Sequence, residues 1–395
     1  MSHAVTDRNL GRGLCVVDII NISSSADTLL KQRVLAMRAT GFDNRIMCAD
    51  GPYVRPLREA GIPVHTVHLP RGLDPFRLAA SLVEIMVYLR RHKVDVVHTH
   101  CSIPGAVGRM AAWLAGVPVI IHTVHGFHFH DRAPWLERQP YLFVERVCGW
   151  VTDTLLTQNR GDLEQAERYG IGPRQRRRWI GNGIDLRRFH PAPRAPRPDS
   201  VVTITCVARL EPVKNHPMLF EAARLLKARG ESFRIRLVGG GVLRHDYQEL
   251  CERLGIADRV EFLGYRDDMS EILARTDIAV LTSFKEGLPR AVVEPMAMGI
   301  PVVATRVSGT REAVQHGETG LTVESGDAAG LAEALALLIR DPGRRAEMGA
   351  RGRAFAVQHF DEQTVIETLR RIYRDRVLGR RGVGARVLAQ DHGRG

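Results

Sequence analysis

Residues 282–323 read TSFKEGLPRAVVEPMAMGIPVVATRVSGTREAVQHGETGLTV. The stretch parses as the end of a strand, a tight loop, a helix, a second strand and a turn. Asp277–Ser283, DIAVLTS, is an apolar run of the length of a buried strand. In the loop FKEGLP, Gly287 brings freedom of φ and Pro289 suits the first turn of a helix. RAVVEPMAM continues as that helix and stops at Gly299, and PVVAT is again a buried strand. A strand-to-helix turn of this kind aims backbone N–H groups and the positive end of a helix at one point, where an anion binds.

Two carboxylates bracket that point. Glu286 lies in the loop and Glu294 inside the helix, too far along for paired acid–base work on one helix face. They suit two hydroxyl-bearing parts of one ligand, while the N–H groups suit phosphate. The ligand implied is a nucleotide-sugar. Either glutamate alone, without the glycines around it, reads as a solvated surface carboxylate.

With 395 residues the chain has the length of two ordinary domains. A hydrophobic content of 44% with 25% charged residues excludes a disordered chain. The six cysteines are scattered with no CxxC pair, which argues against a disulfide framework or a zinc ribbon and fits a reducing cytoplasm. The first ten residues are polar, so no signal peptide is expected. The longest apolar run, near Ala111–Ile121, is too short to span a bilayer. The net charge of +12 is uneven: residues 1–195 carry 26 Lys and Arg against 17 Asp and Glu, the remainder 30 against 27. Such an excess fits an anionic substrate, an anionic membrane or nucleic acid, and equally a surface of solvated arginines. No nucleic-acid signature accompanies it, and aromatics at 6% are few for stacking on bases, so no nucleic acid is expected as a partner.

Strands alternate with helices along the chain, which predicts an α/β protein with parallel sheets. Candidate strands are Leu14–Asn21, Asn44–Cys48, IPVHTV, Lys93–His100, VPVIIHT and TDTLLT. After a proline-rich stretch, His190–Ser200, they resume with VVTITCVARL, RIRLVGGG, RVEFLG, DIAVLTS and PVVAT. The proline-rich stretch reads as a stiff linker. Each half reads as a doubly wound sheet that opens its ligand crevice at the carboxyl ends of its strands.

The Glu286-x7-Glu294 spacing, the GIPVVA that follows and then SGTRE closely resemble the donor-binding segment of retaining GT-B glycosyltransferases of family 4, the bacterial group 1 type. The resemblance covers about Leu14 to Tyr373. It implies two Rossmann-like doubly wound domains facing a cleft, with a C-terminal helix crossing back to the first. The domains expected are 1–195 for the acceptor, 196–360 for the nucleotide-sugar, and 361–395 for the crossover helix and a loose basic tail.

VARLEPVKN places Arg209 and Lys214 after a strand, where they can converge on one anionic group. The resemblance implies that they hold the donor diphosphate, without a metal or other cofactor. It gives Glu294 to the ribose, Glu286 to the transferred sugar and the N–H groups near Gly287 and Leu288 to phosphate. Three glycines in LVGGGVLR let backbone approach a ligand, and Gly240 is expected to border the nucleotide. VEFLGY resembles the segment whose backbone reads the base, through Leu263 and Gly264. GNGIDLRRF resembles the segment at the domain boundary, with Asn182 and Gly183 in a hinge turn and Asp185 shaping it.

HTVHGFHFHD (His122–Asp131) carries four histidines. The resemblance puts His125 beneath the donor sugar, near the transferring centre, and gives His128 and His130 to an acceptor loop. His98 reads as a satisfied strand histidine and His100 as a residue lining the cleft. A metal-dependent hydrolase built on these histidines is the alternative from another class, although no Asp or Glu lies at useful spacing. One departure stands out: where relatives have a glycine-rich loop after the first strand, this chain has NISSSADTLLKQRV (Asn21–Val34). The activity expected is transfer of a sugar to an acceptor hydroxyl with retention, in cell-envelope or exopolysaccharide assembly. A soluble small-molecule acceptor is the alternative. The expected location is the cytoplasm, against an anionic membrane if the acceptor is lipid-linked.

Overall fold

The computed structural model describes residues 13–69, 74–127, 135–191 and 201–391. The chain forms two units, Met1–Ile180 with Thr364–Gly395, and Gly181–Gln363. The first unit holds β1 (Cys15–Ile22), β2 (Asp43–Ala49), β3 (Val64–Thr66), β4 (Val96–His100), β5 (Val119–Val124), β6 (Thr154–Thr157) and β7 (Arg177–Trp179). They make one parallel sheet in the order β3-β2-β1-β4-β5-β6-β7. The second holds β8 (Val202–Val207), β9 (Phe233–Val238), β10 (Val260–Gly264), β11 (Ile278–Leu281), β12 (Val302–Thr305) and β13 (Gly320–Val323), in the order β10-β9-β8-β11-β12-β13. This sheet too is parallel, with Ile204 of β8 opposite both Ile235 and Ile278.

Each sheet begins in its middle, grows to one edge, returns and grows to the other. The strand order therefore reverses between β1 and β4, and between β8 and β11, which is where such sheets open a ligand crevice. The central strands are apolar along their length because helices cover both faces. On one face of the first sheet, Ile85, Leu89, Val107 and Ala111 pack on Val17, Ile19 and Val97. On the other, Met37 and Phe42 meet Leu14 and Val16, joined by Ile366, Leu369 and Tyr373 from the C-terminal helix. One continuous core fills the second unit.

Several expectations are corrected. The expected boundary at 195 lies later than the change of unit at Gly181, because Ile184 and Phe189 are buried in the core of the second unit. Ile184 also exchanges backbone hydrogen bonds with Phe360 (2.8 Å) and Glu362 (3.1 Å) there. Most of the proline-rich linker falls outside the described residues. The expected loose tail is instead part of one helix, Glu362–Asp391. The serine stretch is also helical: Ser23–Leu29 follows β1 at once and Lys31–Ala39 follows it. Ala26, Leu30 and Val34, spaced by four and fully buried, decide this against the serines. The turn expected after PVVAT contains a short helix, Ser308–Ala313, and then β13, while β7 is a polar three-residue strand that no apolar run announces.

Candidate active site

In the second unit the predicted donor residues gather at the switch point. The chain leaving β8 passes Arg209 and makes a 3-10 turn at Pro212–Lys214. Asn215, at φ +50°, then redirects it into the His216–Ala228 helix. Lys214 is fixed from both ends. Its carbonyl accepts from Thr282 Oγ1 at 3.0 Å, and its Nζ lies 2.6 Å from Glu286 Oε1. Both side chains of this ion pair are largely buried. Arg209 does not converge with Lys214: it is exposed, and its guanidinium pairs with Glu211 at 2.6 Å. The nearest carboxylate on each loop takes the cation that the sequence reading gave to a shared anion.

Glu294 is buried on the Arg290–Ala297 helix and accepts from Arg290 Nε at 2.7 Å, one turn earlier. Burial pulls the Arg290 guanidinium towards neutrality, but the Glu294 carboxylate outweighs it and holds Arg290 firmly charged. This leaves the second oxygen of Glu294 for another partner. The Asn182 side chain donates to the Leu288 carbonyl at 2.8 Å. Gly309 N donates to the Glu286 carbonyl at 3.3 Å, and a Cβ at Gly309 would land on the Gly287 carbonyl oxygen. The glycine at 309 thus lets two loops close on the Glu286 turn. As expected, Gly299 takes a left-handed φ of +72° just past the end of the helix.

The glycine run after β9 is stitched to the Arg209 segment. Leu210 N donates to Gly240 O at 2.9 Å, and Gly239 N to Gly264 O at 2.8 Å. A Cβ at Gly239 would overlap the Ala208 carbonyl, whereas one at Gly240 would meet nothing within 4 Å. Gly239 and Gly241, whose Cβ would overlap the Leu210 backbone, are therefore the packing glycines and Gly240 the open one. Leu263 and Gly264 end β10, the edge strand, half-buried beside this loop.

In the first unit, residues far apart in sequence form a buried polar chain from the middle of β1 to the carboxyl ends of β4 and β5. Asp18 accepts from Arg33 (2.6 Å), Asn44 Nδ2 (2.5 Å) and His100 Nε2 (2.9 Å). His100 Nδ1 lies 3.0 Å from Nε2 of His125. Each neutral imidazole has one N–H to give, so the direction of this chain fixes the tautomer of His125. Gln158 hydrogen-bonds the same ring, and burial pushes the His125 imidazole down to about 4. Burial also pushes His98, His100 and His122 well below their usual range, with the Arg33 charge adding to the effect at His100 and the Arg109 charge at His122. His98 is satisfied on both nitrogens, by Tyr373 (2.5 Å) and Thr123 (2.6 Å), as a strand histidine should be. His100 is fully buried within the chain. His128 and His130 lie outside the described residues.

Among the described residues, Asp18, His98 and His100 are the trio whose donor atoms come within metal-ligand range. It is built around the Arg33 guanidinium instead, and both His98 nitrogens are taken. The carboxylate that spacing did not offer is present, but it is committed to a cation of the chain itself.

The depressed imidazoles give a pH prediction. In the unfolded chain His125 takes up a proton near pH 6.5, and in the folded chain only near 4. The stability that this group supplies is complete above pH 6.5 and is lost as pH falls through 4, by about 3 kcal/mol. Thermal melts between pH 7 and pH 4 are expected to fall less steeply for His125→Asn than for the wild type. Equal slopes would show that His125 is not held neutral.

Arg290, Gly309, Asp18, Arg33 and Gln158 were not expected as site residues. Arg290 and Glu294 stand at helical i,i+4 spacing, and Gly309 lies inside the SGTRE segment, so both left a local signal. The other three left none.

The family described as Glycosyl transferases group 1 matches residues 192–355, and the Glycosyl transferase 4-like domain matches residues 30–183. The Bacillus subtilis (strain 168) protein EpsD is 32% identical over 77% of this chain and 81% of its own. The Escherichia coli UDP-Gal:alpha-D-GlcNAc-diphosphoundecaprenol alpha-1,3-galactosyltransferase is 29% identical over 72% of this chain and 77% of its own. In fold the chain is similar to Anabaena Alr3699/HepE, crystallised with UDP and glucose: the TM-score is 0.77 at 22% identity, covering 90% of this chain and 98% of that one. The chain has the two Rossmann-like domains of the GT-B fold and belongs to the group 1, family 4 glycosyltransferases. It is a glycosyltransferase, EC class 2.4, with a nucleotide-sugar as donor, which sets aside the metal-dependent hydrolase.

Proposed function

We propose that this chain transfers a sugar, with retention, from a nucleoside diphosphate sugar to a hydroxyl on a lipid-linked acceptor, in cell-envelope or exopolysaccharide assembly. The observation that carries the donor half is the pairing of buried Lys214 with Glu286 at the switch point of the second sheet, beside Glu294. Glu294 takes the ribose with the oxygen Arg290 leaves open, and Glu286 a hydroxyl of the transferred sugar. Arg209 and Lys214 take the diphosphate, releasing their carboxylates as they do so, helped by N–H groups at Gly287 and Leu288. Gly240, Leu263 and Gly264 border the nucleoside. His125, held by His100, receives a donor-sugar hydroxyl. Two protein cations stabilise the leaving group, so the reading requires no metal or other cofactor. The lipid-linked acceptor is supported by the name of the Escherichia coli relative and by the charge excess in residues 1–195.

Thermal melts with UDP-, GDP-, ADP- and dTDP-sugars, with and without EDTA, test the donor site. Binding to the native state raises stability by about 2.7 kcal/mol at a ligand concentration a hundred times Kd. One nucleotide series is expected to raise Tm whether or not EDTA is present, and Glu294→Gln to lose that shift. A shift that EDTA removes, or one that survives in Glu294→Gln, would overturn these assignments.

A further inference from the structure

The outward side of the first unit carries a second apolar surface that its core does not use. Between β3 and β6 three helices, Pro75–Arg91, Ser102–Ala115 and Trp135–Trp150, follow one another as right-handed crossovers and lie along one face of the sheet. The last of them is the telling one. Its inner side is filled by Leu142, Cys148 and the buried Glu145, which pairs with Arg109 at 2.8 Å. Its outer side should then be polar. Instead Leu136, Phe143 and Trp150, seven residues apart and so in line, are 75%, 68% and 86% exposed. The neighbouring Ser102–Ala115 helix ends in Trp113 and Leu114, also exposed, and Arg90 reaches across from the first helix to donate to the Leu114 carbonyl at 2.8 Å.

Basic residues border this surface at its Trp113 end. Arg90, Arg91, Lys93 and Arg146 are exposed beside it. Glu84 pairs with His68, Glu145 with Arg109, and Asp74 with its own helix N-terminus and Arg77. Exposed tryptophans among apolar residues, bordered by arginine and lysine, match the two layers of a bilayer surface: rings settle at headgroup depth, and the cations meet anionic lipid.

We infer that this face, from Trp113 to Trp150, seats the enzyme on an anionic lipid bilayer. The inference rests on the lipid-linked-acceptor reading given above and names the surface that serves it. No helix among the described residues is long and apolar enough to cross a membrane. The tryptophans and Phe143 supply the apolar part, and Arg90, Arg91 and Lys93 the part that salt screens.

Sedimentation with phosphatidylcholine vesicles containing about a third phosphatidylglycerol tests it. The wild-type chain is expected to pellet with them at low salt, and to stay in solution with pure phosphatidylcholine at high salt. Phe143→Ser with Trp150→Ser is expected to weaken partitioning by about tenfold or more. Arg90→Ser with Arg91→Ser should weaken it only on anionic vesicles. Melting temperature and the nucleotide-induced shift of each variant serve as controls, since neither depends on lipid. Wild type that remains in the supernatant at low salt overturns the inference. So does unchanged partitioning of the Phe143/Trp150 variant. So does a wild-type dimer that the same variant splits, because a second copy would then occupy the face. A retained nucleotide shift alongside any of these leaves the donor site standing.

Discussion

Lys214→Met is expected to lower kcat/KM by about 10²- to 10³-fold, and to destabilise the second unit as well. The two losses have different origins. The activity goes because the amine is the buried cation nearest Glu286, fixed by the Asn215 turn and by Thr282. The stability goes because Glu286, with a side chain only 10% exposed, is left as a buried carboxylate without its partner. Breaking such a pair costs about 3–5 kcal/mol. Lys214→Met combined with Glu286→Gln removes both charges, so it should recover most of the stability and none of the activity. Denaturant midpoints and kcat/KM for the two singles and the double measure the split. A double variant no more stable than Lys214→Met would mean that the pair does not couple, and with it would go the assignment of Lys214 as a fixed cation.

Gly309→Ala should be nearly as damaging, although alanine adds one methyl and no charge. That methyl would land on the backbone carbonyl of Gly287. Backbone cannot rotate aside as a side chain can, so the Glu286–Leu288 turn must retreat from the Ser308–Ala313 helix. Overpacking of this kind costs about 1–3 kcal/mol, and the retreat carries Glu286 away from Lys214. Loss of the nucleotide-induced rise in Tm is expected. Gly379→Ala, at an exposed helical glycine outside the site, is the matched control, since nothing lies within 4 Å of the Cβ it would add. Normal nucleotide binding by Gly309→Ala would show that the turn tolerates displacement and that the donor does not read its position.

Much of this was legible in the sequence, for a physical reason. Strands buried on both faces are plain apolar runs, and runs such as DIAVLTS and PVVAT stand in the sheet close to where their composition puts them. The candidate donor residues could be nominated together because each lies on a short segment that follows a strand of the second sheet. The Asp18–His100–His125 chain was not legible. Asp18 and His100 are 82 residues apart and are brought together by β1 lying beside β4. Arg33 comes from the helices that the serines disguised as a loop. The polar edge strand β7 and the four-residue β13 had no apolar run to announce them.

The C-terminal helix sets an order on how the chain is made. Residues Gly181–Gln363 are one uninterrupted segment, and their core draws only on themselves. The unit translated first has no such independence. Its Leu14 and Val16 face has only Met37 and Phe42 over it until Ile366, Leu369 and Tyr373 leave the ribosome, and His98 waits across 275 residues for the Tyr373 hydroxyl. The middle of the nascent chain can therefore finish folding before its beginning does. The unit that emerges first is the one a chaperone would have to hold longest.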